Sequence, residues 1–110
     1  MSHRNLELFK LKAELCKTFA DANRLMIINE LRKGEKSVSD LVAALETPQA
    51  VVSRHLAVLR HKGIVQTRRE GVNIFYSLVN SRIVLACDIV HEVLMDQVAR
   101  NKELAERLAE

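Results

Sequence analysis

The 110-residue sequence predicts a mainly α-helical protein with one small β-hairpin (α+β), in the order ααααββα. Two observations support this class. Apolar residues recur at helical spacings of three and four along most of the chain. Residues 64–78 instead hold two short runs of β-branched and aromatic residues around a charged turn. The length predicts a single domain, 1–110, whose core needs no disulfide or structural metal.

The first two helices follow from apolar spacing and from the residues at their ends. The first helix is predicted over about 4–19, and its apolar face comprises Leu8, Leu11, Leu15 and Phe19. Asp21 is a suitable N-cap for the second helix, and Gly34 is expected to end it. The inner face of the second helix is predicted to comprise Leu25, Ile28 and Leu31.

The third and fourth helices are separated by only one or two residues. Ser37 is predicted to cap the third helix, and Asp40 suits the positive end of the helix dipole. Thr47 followed by Pro48 predicts the start of the fourth helix, because proline in the first turn loses no hydrogen bond and threonine can cap it. This short connection is typical of a helix-turn-helix, predicted over about 37–62.

The remaining elements are a hairpin over about 64–78 with a basic tip, and a long last helix over about 81–105. The apolar stripe of that helix comprises Ile83, Cys87, Val90, Leu94 and Val98. The complete order predicts a winged helix-turn-helix. In that fold the second helix of the motif enters the DNA major groove, and the hairpin, called the wing, lies against the flanking backbone.

The fourth helix separates an apolar face from a polar one. Val52, Leu56 and Leu59 are spaced to face the core, which leaves small and polar side chains outside. Gln49 and Arg54 are expected to reach base edges. The predicted DNA-binding residues are Gln49, Ala50, Ser53, Arg54, His55, Arg60, Arg68 and Arg69. The predicted function is therefore a sequence-specific regulator that binds double-stranded operator DNA.

Two other readings compete with DNA binding. A net charge of +3 is weak evidence for an anionic partner, and any one of these arginines could be solvated surface. A winged-helix protein-interaction or assembly module that does not bind DNA is the alternative function. An enzyme is not expected, because the sequence shows no nucleophile with a base and acid in plausible order and no glycine-rich phosphate loop.

The chain resembles the ArsR/SmtB family of winged-helix repressors over nearly its whole length. The similar segments are DANRLMIINELRKG, VSDLVAALETPQAVVSRHLAVLRHKGIV and TRREGVNIFYSL. The resemblance implies a homodimer formed through the first and last helices, DNA contact by the fourth helix, and release from the operator by an inducer. Apart from the resemblance, the sequence predicts a cytoplasmic protein. The sequence itself shows neither a membrane span nor a signal peptide.

The resemblance also bears on metal sensing. Arsenic-sensing members have ELCVCDL where this chain has EKSVSDL, so hydroxyls of Ser37 and Ser39 replace both thiolates and cannot form a soft-metal site. A second family site on the last helix uses an aspartate, two histidines and a glutamate. This chain offers His91 alone beside Asp88 and Glu92, which is a poor zinc site, so His91 is expected to be a partly exposed surface histidine.

Cys16 and Cys87 remain as candidate sensor thiols. Both could be core thiols that act as small apolar groups. Because the family resemblance packs the first helix against the last, the two thiols could instead undergo redox chemistry, or bind a soft metal ion together with His91. No cofactor is expected to be obligatory, and the inducer is not identified by the sequence.

Overall fold

The computed structural model describes the backbone of residues 3–109 and the side chains of residues 5–109. The chain divides into two compact units, Met1–Asn80 and Ser81–Glu110. The predicted class is confirmed, since the protein is mostly helical with a small antiparallel sheet. The residues predicted at the extreme ends of the domain, Met1, Ser2 and Glu110, lie outside the described residues. The assignment of 1–110 to one domain stays a prediction.

The first unit begins with α1 (His3–Thr18) and α2 (Ala22–Leu31). Asp21 caps α2 as predicted, because its side chain accepts a hydrogen bond from the backbone N–H of Arg24 at 3.2 Å. The buried face of α2 is Ile27, Ile28 and Leu31. Ile28 and Leu31 are buried as predicted, whereas Leu25, expected on that face, is exposed and Ile27 is buried in its place, so the inner face is rotated by about 50° from the predicted one.

The next elements are the two-residue strand β1 (Lys36–Ser37) and α3 (Val38–Leu45). Ser37 caps α3 as predicted, in a reciprocal capping box. Its hydroxyl accepts from the Asp40 N–H at 3.1 Å, and the Asp40 carboxylate accepts from the Ser37 N–H at 3.0 Å. The strand β1 was not predicted, because so short a strand exists only through its pairing with a distant segment.

Helix α4 (Gln49–His61) completes the helix-turn-helix. Glu46 ends α3 in the left-handed region, with φ of 49°, and so turns the chain toward α4. The predicted role of Thr47 as the cap of α4 is wrong. Its hydroxyl donates backwards to the Leu45 carbonyl at 3.0 Å, and Pro48 occupies the N-cap position without a side-chain hydrogen bond.

The wing consists of β2 (Val65–Glu70) and β3 (Asn73–Leu78), joined by a two-residue turn. Gly71 has φ of 63°, which glycine adopts without the strain of a Cβ. The sheet order is β1-β3-β2, and both pairings are antiparallel. The core beneath these elements is aliphatic and comprises Ile27, Ile28, Leu31, Leu41, Val52, Leu56, Leu59, Ile64 and Val65.

The second unit contains α5 (Arg82–Arg100) and α6 (Lys102–Ala109). The prediction of one helix over about 81–105 is therefore wrong. The helix ends at Asn101, whose backbone is extended and whose side chain accepts from the Leu104 N–H at 3.1 Å, as an N-cap of α6 does. Among the described residues, no helix has both the length and the apolar content to cross a bilayer.

Candidate nucleic-acid interface

Helix α4 presents most of the predicted contact residues on one exposed face. Gln49, Ala50, Ser53 and Arg54 are all exposed, and Ala57 continues the same face. On the opposite side Val52, Leu56 and Leu59 are fully buried. The small side chains leave room for a close approach to a groove, and Arg54 offers a planar fork of donors for base edges.

The first turn of α4 adds a feature that the sequence did not reveal. Because Pro48 provides no side-chain cap, the first free backbone N–H groups of the helix, those of Gln49 and Ala50, lack a capping acceptor. Such N–H groups, together with the positive end of the helix dipole, favour a phosphate. A cap by Thr47, as predicted from the sequence, would have satisfied one of these N–H groups.

His55 was predicted to contact DNA, and the structure does not support that role. Its side chain is buried, and it faces the start of α2 rather than solvent. The reason is helical geometry, because His55 lies one residue before Leu56 and therefore on the inner half of α4. The signal that would have identified this burial, a partner on another helix, is not local in sequence.

The C-terminal end of α4 carries exposed basic residues. Arg60, His61 and Lys62 are all exposed. Cations at this end also suit the negative end of the helix dipole. Arg60 is thus accessible as predicted, although nothing in its position selects a base rather than a phosphate.

The two predicted wing arginines lie on opposite faces of the sheet, because they are consecutive residues of β2. Arg69 is exposed and forms no ion pair with any residue that the structure describes. Arg68 instead pairs with Glu35 and Glu70. Its Nε donates to Glu35 Oε2 at 3.1 Å and its Nη1 donates to Glu70 Oε2 at 2.8 Å.

Arg68 is held on a third side by an aromatic ring. Its guanidinium carbon lies 5.0 Å from the centre of the Phe75 ring, which is its cross-strand neighbour. The hydrogen bonds from Arg68 hold the pKa of Glu35 below its ordinary value, and those carboxylates raise the pKa of Arg68. We call this group the wing latch; it consists of Arg68, Glu35, Glu70 and Phe75. The contact with Glu35 could not be predicted from the sequence, because Glu35 lies 33 residues from Arg68. The contact with Phe75 depends on the register of the hairpin.

The EKSVSDL segment forms the N-terminal cap of α3 through Ser37 and Asp40. The Ser37 N–H holds the pKa of Asp40 below its ordinary value. The Ser37 hydroxyl accepts a hydrogen bond within the capping box, and the Ser39 side chain is exposed. Two hard hydroxyls, one already engaged, do not fit a soft metal ion.

Neither candidate sensor thiol forms a disulfide bond with a described residue; Cys16 is exposed on α1 and Cys87 is half-buried on α5. His91 is exposed on α5. The two cysteines belong to different compact units. Across residues 3–109, no three histidine, cysteine or acidic side chains converge as metal ligands would.

Comparison with known proteins gives consistent matches. Residues 21–67 match the family described as bacterial regulatory protein, arsR family. The transcriptional activator HlyU of Vibrio cholerae is 37% identical over 79 residues, which are 72% of this chain and 73% of that protein. The biofilm growth-associated repressor of Agrobacterium fabrum is 41% identical over 81 residues, 74% of this chain and 69% of that protein.

A solved structure extends the similarity to the fold. It is the solution structure of the homodimeric winged helix-turn-helix domain of a possible ArsR-family transcriptional regulator from Mycobacterium bovis. Its TM-score to this chain is 0.77 with 26% identity, and the match covers 92% of this chain and 94% of that one. These proteins are named as regulators of transcription and not as enzymes.

The wing latch generates a pH-dependent prediction for Glu35→Gln. Glu35 has a lowered pKa in the folded protein, so its contribution to stability is complete above its ordinary value of 4.5 and is lost as the pH falls through the lowered value. We expect the variant to unfold at lower denaturant concentration than wild type at neutral pH, and the two to converge in acid. Denaturant titrations across this pH range measure the difference.

Glu92→Gln is the matched control, because Glu92 is an exposed glutamate on α5. It should follow the wild-type curve at every pH. A stability difference for Glu35→Gln that persists unchanged at the acid end would contradict the latch, since a protonated Glu35 no longer carries the charge that Arg68 pairs with.

Proposed function

The chain belongs to the arsR family of bacterial regulatory proteins and is a DNA-binding transcriptional regulator, and we propose that it acts as a dimeric repressor released from its operator by an inducer. The name of the Agrobacterium relative supports repression, whereas HlyU is named as an activator. Repression is favoured because a dimer seated in the groove blocks a promoter without any further surface. Its place of action is then the cytoplasm, where its operator lies.

The outward face of α4 is the observation that carries DNA binding. Gln49 and Arg54 face the base edges, Ala50 allows close approach, and Ser53 donates to phosphate. The uncapped first turn of α4 contacts a second phosphate through backbone N–H groups. Arg60 and Arg69 supply exposed positive charge at either side of this face.

Arg68 has a different role in this proposal from the one that its sequence position suggested. Its charge is balanced by Glu35 and Glu70, so it offers less attraction to phosphate than Arg69 does. Its role is to fasten the wing to the segment that begins α3. A protein-interaction module that does not bind DNA has no use for this exposed, cationic arrangement on α4, and the named relatives are regulators of transcription.

The DNA-binding proposal predicts distinct effects for two arginines. Arg54→Ala should cost about 1–3 kcal/mol of affinity for a duplex selected by the protein from a random library, and should relax sequence preference at one position. Arg69→Ala should weaken binding to the selected duplex and to random duplexes alike. It should also reduce the slope of log affinity against log salt concentration by about 1. Fluorescence anisotropy at several salt concentrations measures both effects.

Arg107→Ala is the control, because Arg107 is an exposed arginine on α6 outside this surface. Arg107→Ala should leave the affinity for the selected duplex and the salt slope unchanged. If the double variant Arg54→Ala, Arg69→Ala binds the selected duplex as tightly as wild type does, α4 and the wing are not the contact surface.

Dimerisation uses the exposed apolar faces of α1 and α5 in this proposal. The exposed residues are Leu6, Leu8, Phe9, Leu11 and Leu15 on α1 and Leu85, Ile89, Val90, Val93 and Leu94 on α5. Helices with so much exposed aliphatic surface are stabilised by a partner. A second copy fits, because the Mycobacterium bovis domain is homodimeric and two heads are needed for two operator half-sites.

Val90→Glu tests the interface, since Val90 is 69% exposed on α5 and a buried, unpaired carboxylate there would oppose association. Sedimentation velocity should show the variant shifted toward monomer relative to wild type. Val72→Glu is the matched control because Val72 is 95% exposed at the wing turn, and it should remain dimeric. A dimer of unchanged strength in Val90→Glu would remove α5 from the interface.

Inducer sensing is assigned to Cys16 and Cys87. The exposed Cys16 thiol is open to oxidants and soft metals, and the dimer brings copies of α1 and α5 together. Zinc, cadmium, arsenite, peroxide or persulfide donors should then release wild-type protein from the selected duplex. Cys16→Ser and Cys87→Ser should respond less to the active agent, because serine neither oxidises nor binds soft metals. Equal responses of all three proteins would contradict thiol sensing.

A further inference from the structure

His55 is a buried polar residue on the helix that carries the proposed DNA contacts. Its side chain has a relative exposure of 6%. The two polar groups near its ring both come from the start of α2. His55 Nδ1 lies 3.4 Å from Arg24 Nη1, and His55 Nε2 lies 3.9 Å from Asp21 Oδ1. Burying an imidazole is favourable only when its nitrogens find partners, so these contacts are needed for α4 to pack as it does.

The partners of His55 are themselves fixed by the connection between α1 and α2. Arg24 Nε donates to the Thr18 carbonyl at 2.7 Å, and the Arg24 N–H donates to Asp21 Oδ1 at 3.2 Å. The backbone N–H of Arg24 also holds the pKa of Asp21 below its ordinary value. The ring of His55 therefore contacts a preorganised pair rather than two mobile side chains.

The contact with Arg24 selects one form of the imidazole ring. Arginine is a donor only, so His55 Nδ1 must be unprotonated to accept from Nη1. In the neutral ring the hydrogen is then on Nε2, which faces the Asp21 carboxylate. Arg24 also lines an open cleft of about 340 Å³, together with Glu14, Lys17 and Lys62.

The rotation of α4 about its own axis decides which side chains meet DNA. The aliphatic residues beside His55 pack without directional preference, whereas a hydrogen bond is directional. With about 100° per residue, side chains at positions 54, 53, 50 and 49 point roughly 100° to 160° away from His55. Fixing the direction of His55 therefore fixes the direction in which Gln49, Ala50, Ser53 and Arg54 project.

We propose that His55 is a positioning residue for DNA recognition, which sets the rotation of α4 through the contact of its Nδ1 with Arg24. The proposal rests on the proposed function, because it assumes that the exposed face of α4 contacts base edges. A small rotation of α4 leaves the cationic surface intact and misaligns the base contacts. Losing the contact should therefore reduce discrimination between sequences more than it reduces binding to DNA in general.

Three variants separate the contributions of the ring. His55→Asn keeps an acceptor near the position of Nδ1, so it retains the contact with Arg24. His55→Gln keeps a donor near the position of Nε2, so it retains the contact with Asp21. His55→Leu fills the volume and has neither. Each is measured by fluorescence anisotropy on the duplex selected by wild type and on a random duplex, with thermal unfolding as the measure of folding.

The expected result is that His55→Asn keeps the ratio of selected to random affinity near the wild-type value. His55→Gln and His55→Leu should lose about tenfold in that ratio, the range of one misaligned base contact, with random-duplex affinity nearly unchanged. Where His55→Leu does not fold, the comparison of His55→Asn with His55→Gln decides. A purely structural role would lower selected and random affinities in parallel with the folded fraction.

Equal ratios for wild type, His55→Asn and His55→Gln would overturn the proposal. So would a parallel loss of both affinities in every variant. Failure of the proposed function looks different, because wild type itself would then bind selected and random duplexes equally. The ratio of selected-duplex to random-duplex affinity in wild type therefore distinguishes the two failures.

Discussion

The packing of α4 against α2 and α3 is the constraint on which the rest of the first unit depends. Val52, Leu56 and Leu59 bury one side of the helix completely, and that burial obliges the other side to face solvent. The apolar contacts supply most of the stabilisation but little directional control. The polar contact of His55 with Arg24 supplies direction, and it ties α4 to the residues that connect α1 and α2.

Electrostatics divides the basic residues of this chain into two groups. Arg54, Arg60 and Arg69 are exposed and form no ion pairs with described residues, so their charge acts on the surroundings. Arg68 and Arg24 instead donate hydrogen bonds to other residues of the protein and hold its elements together. A count of arginines near the motif therefore overstates the charge available to DNA. The partners of each arginine, more than its place in the sequence, decide its role.

The start of α3 connects the helix-turn-helix to the wing. The Ser37 hydroxyl and the Asp40 carboxylate satisfy each other's backbone donors, and Glu35 immediately before them holds Arg68. The segment therefore joins the helix-turn-helix to the wing. A sensor site built on this helix would act at the same junction. In this chain the available thiols instead lie on α1 and α5, the helices with the most exposed apolar surface.

The sequence by itself determined the elements whose signals are local. The spacing of apolar residues gave the helices, Asp21 and Ser37 gave two caps, and the β-rich runs gave the wing. Only the tertiary structure decided the burial of His55, the engagement of Arg68 and the existence of β1. Their partners lie about 30 or more residues away, at Arg24, Glu35 and β3, and no local pattern encodes such contacts. Side-chain periodicity specifies which half of a helix faces inward, whereas the partner that a polar group meets there depends on how distant elements pack.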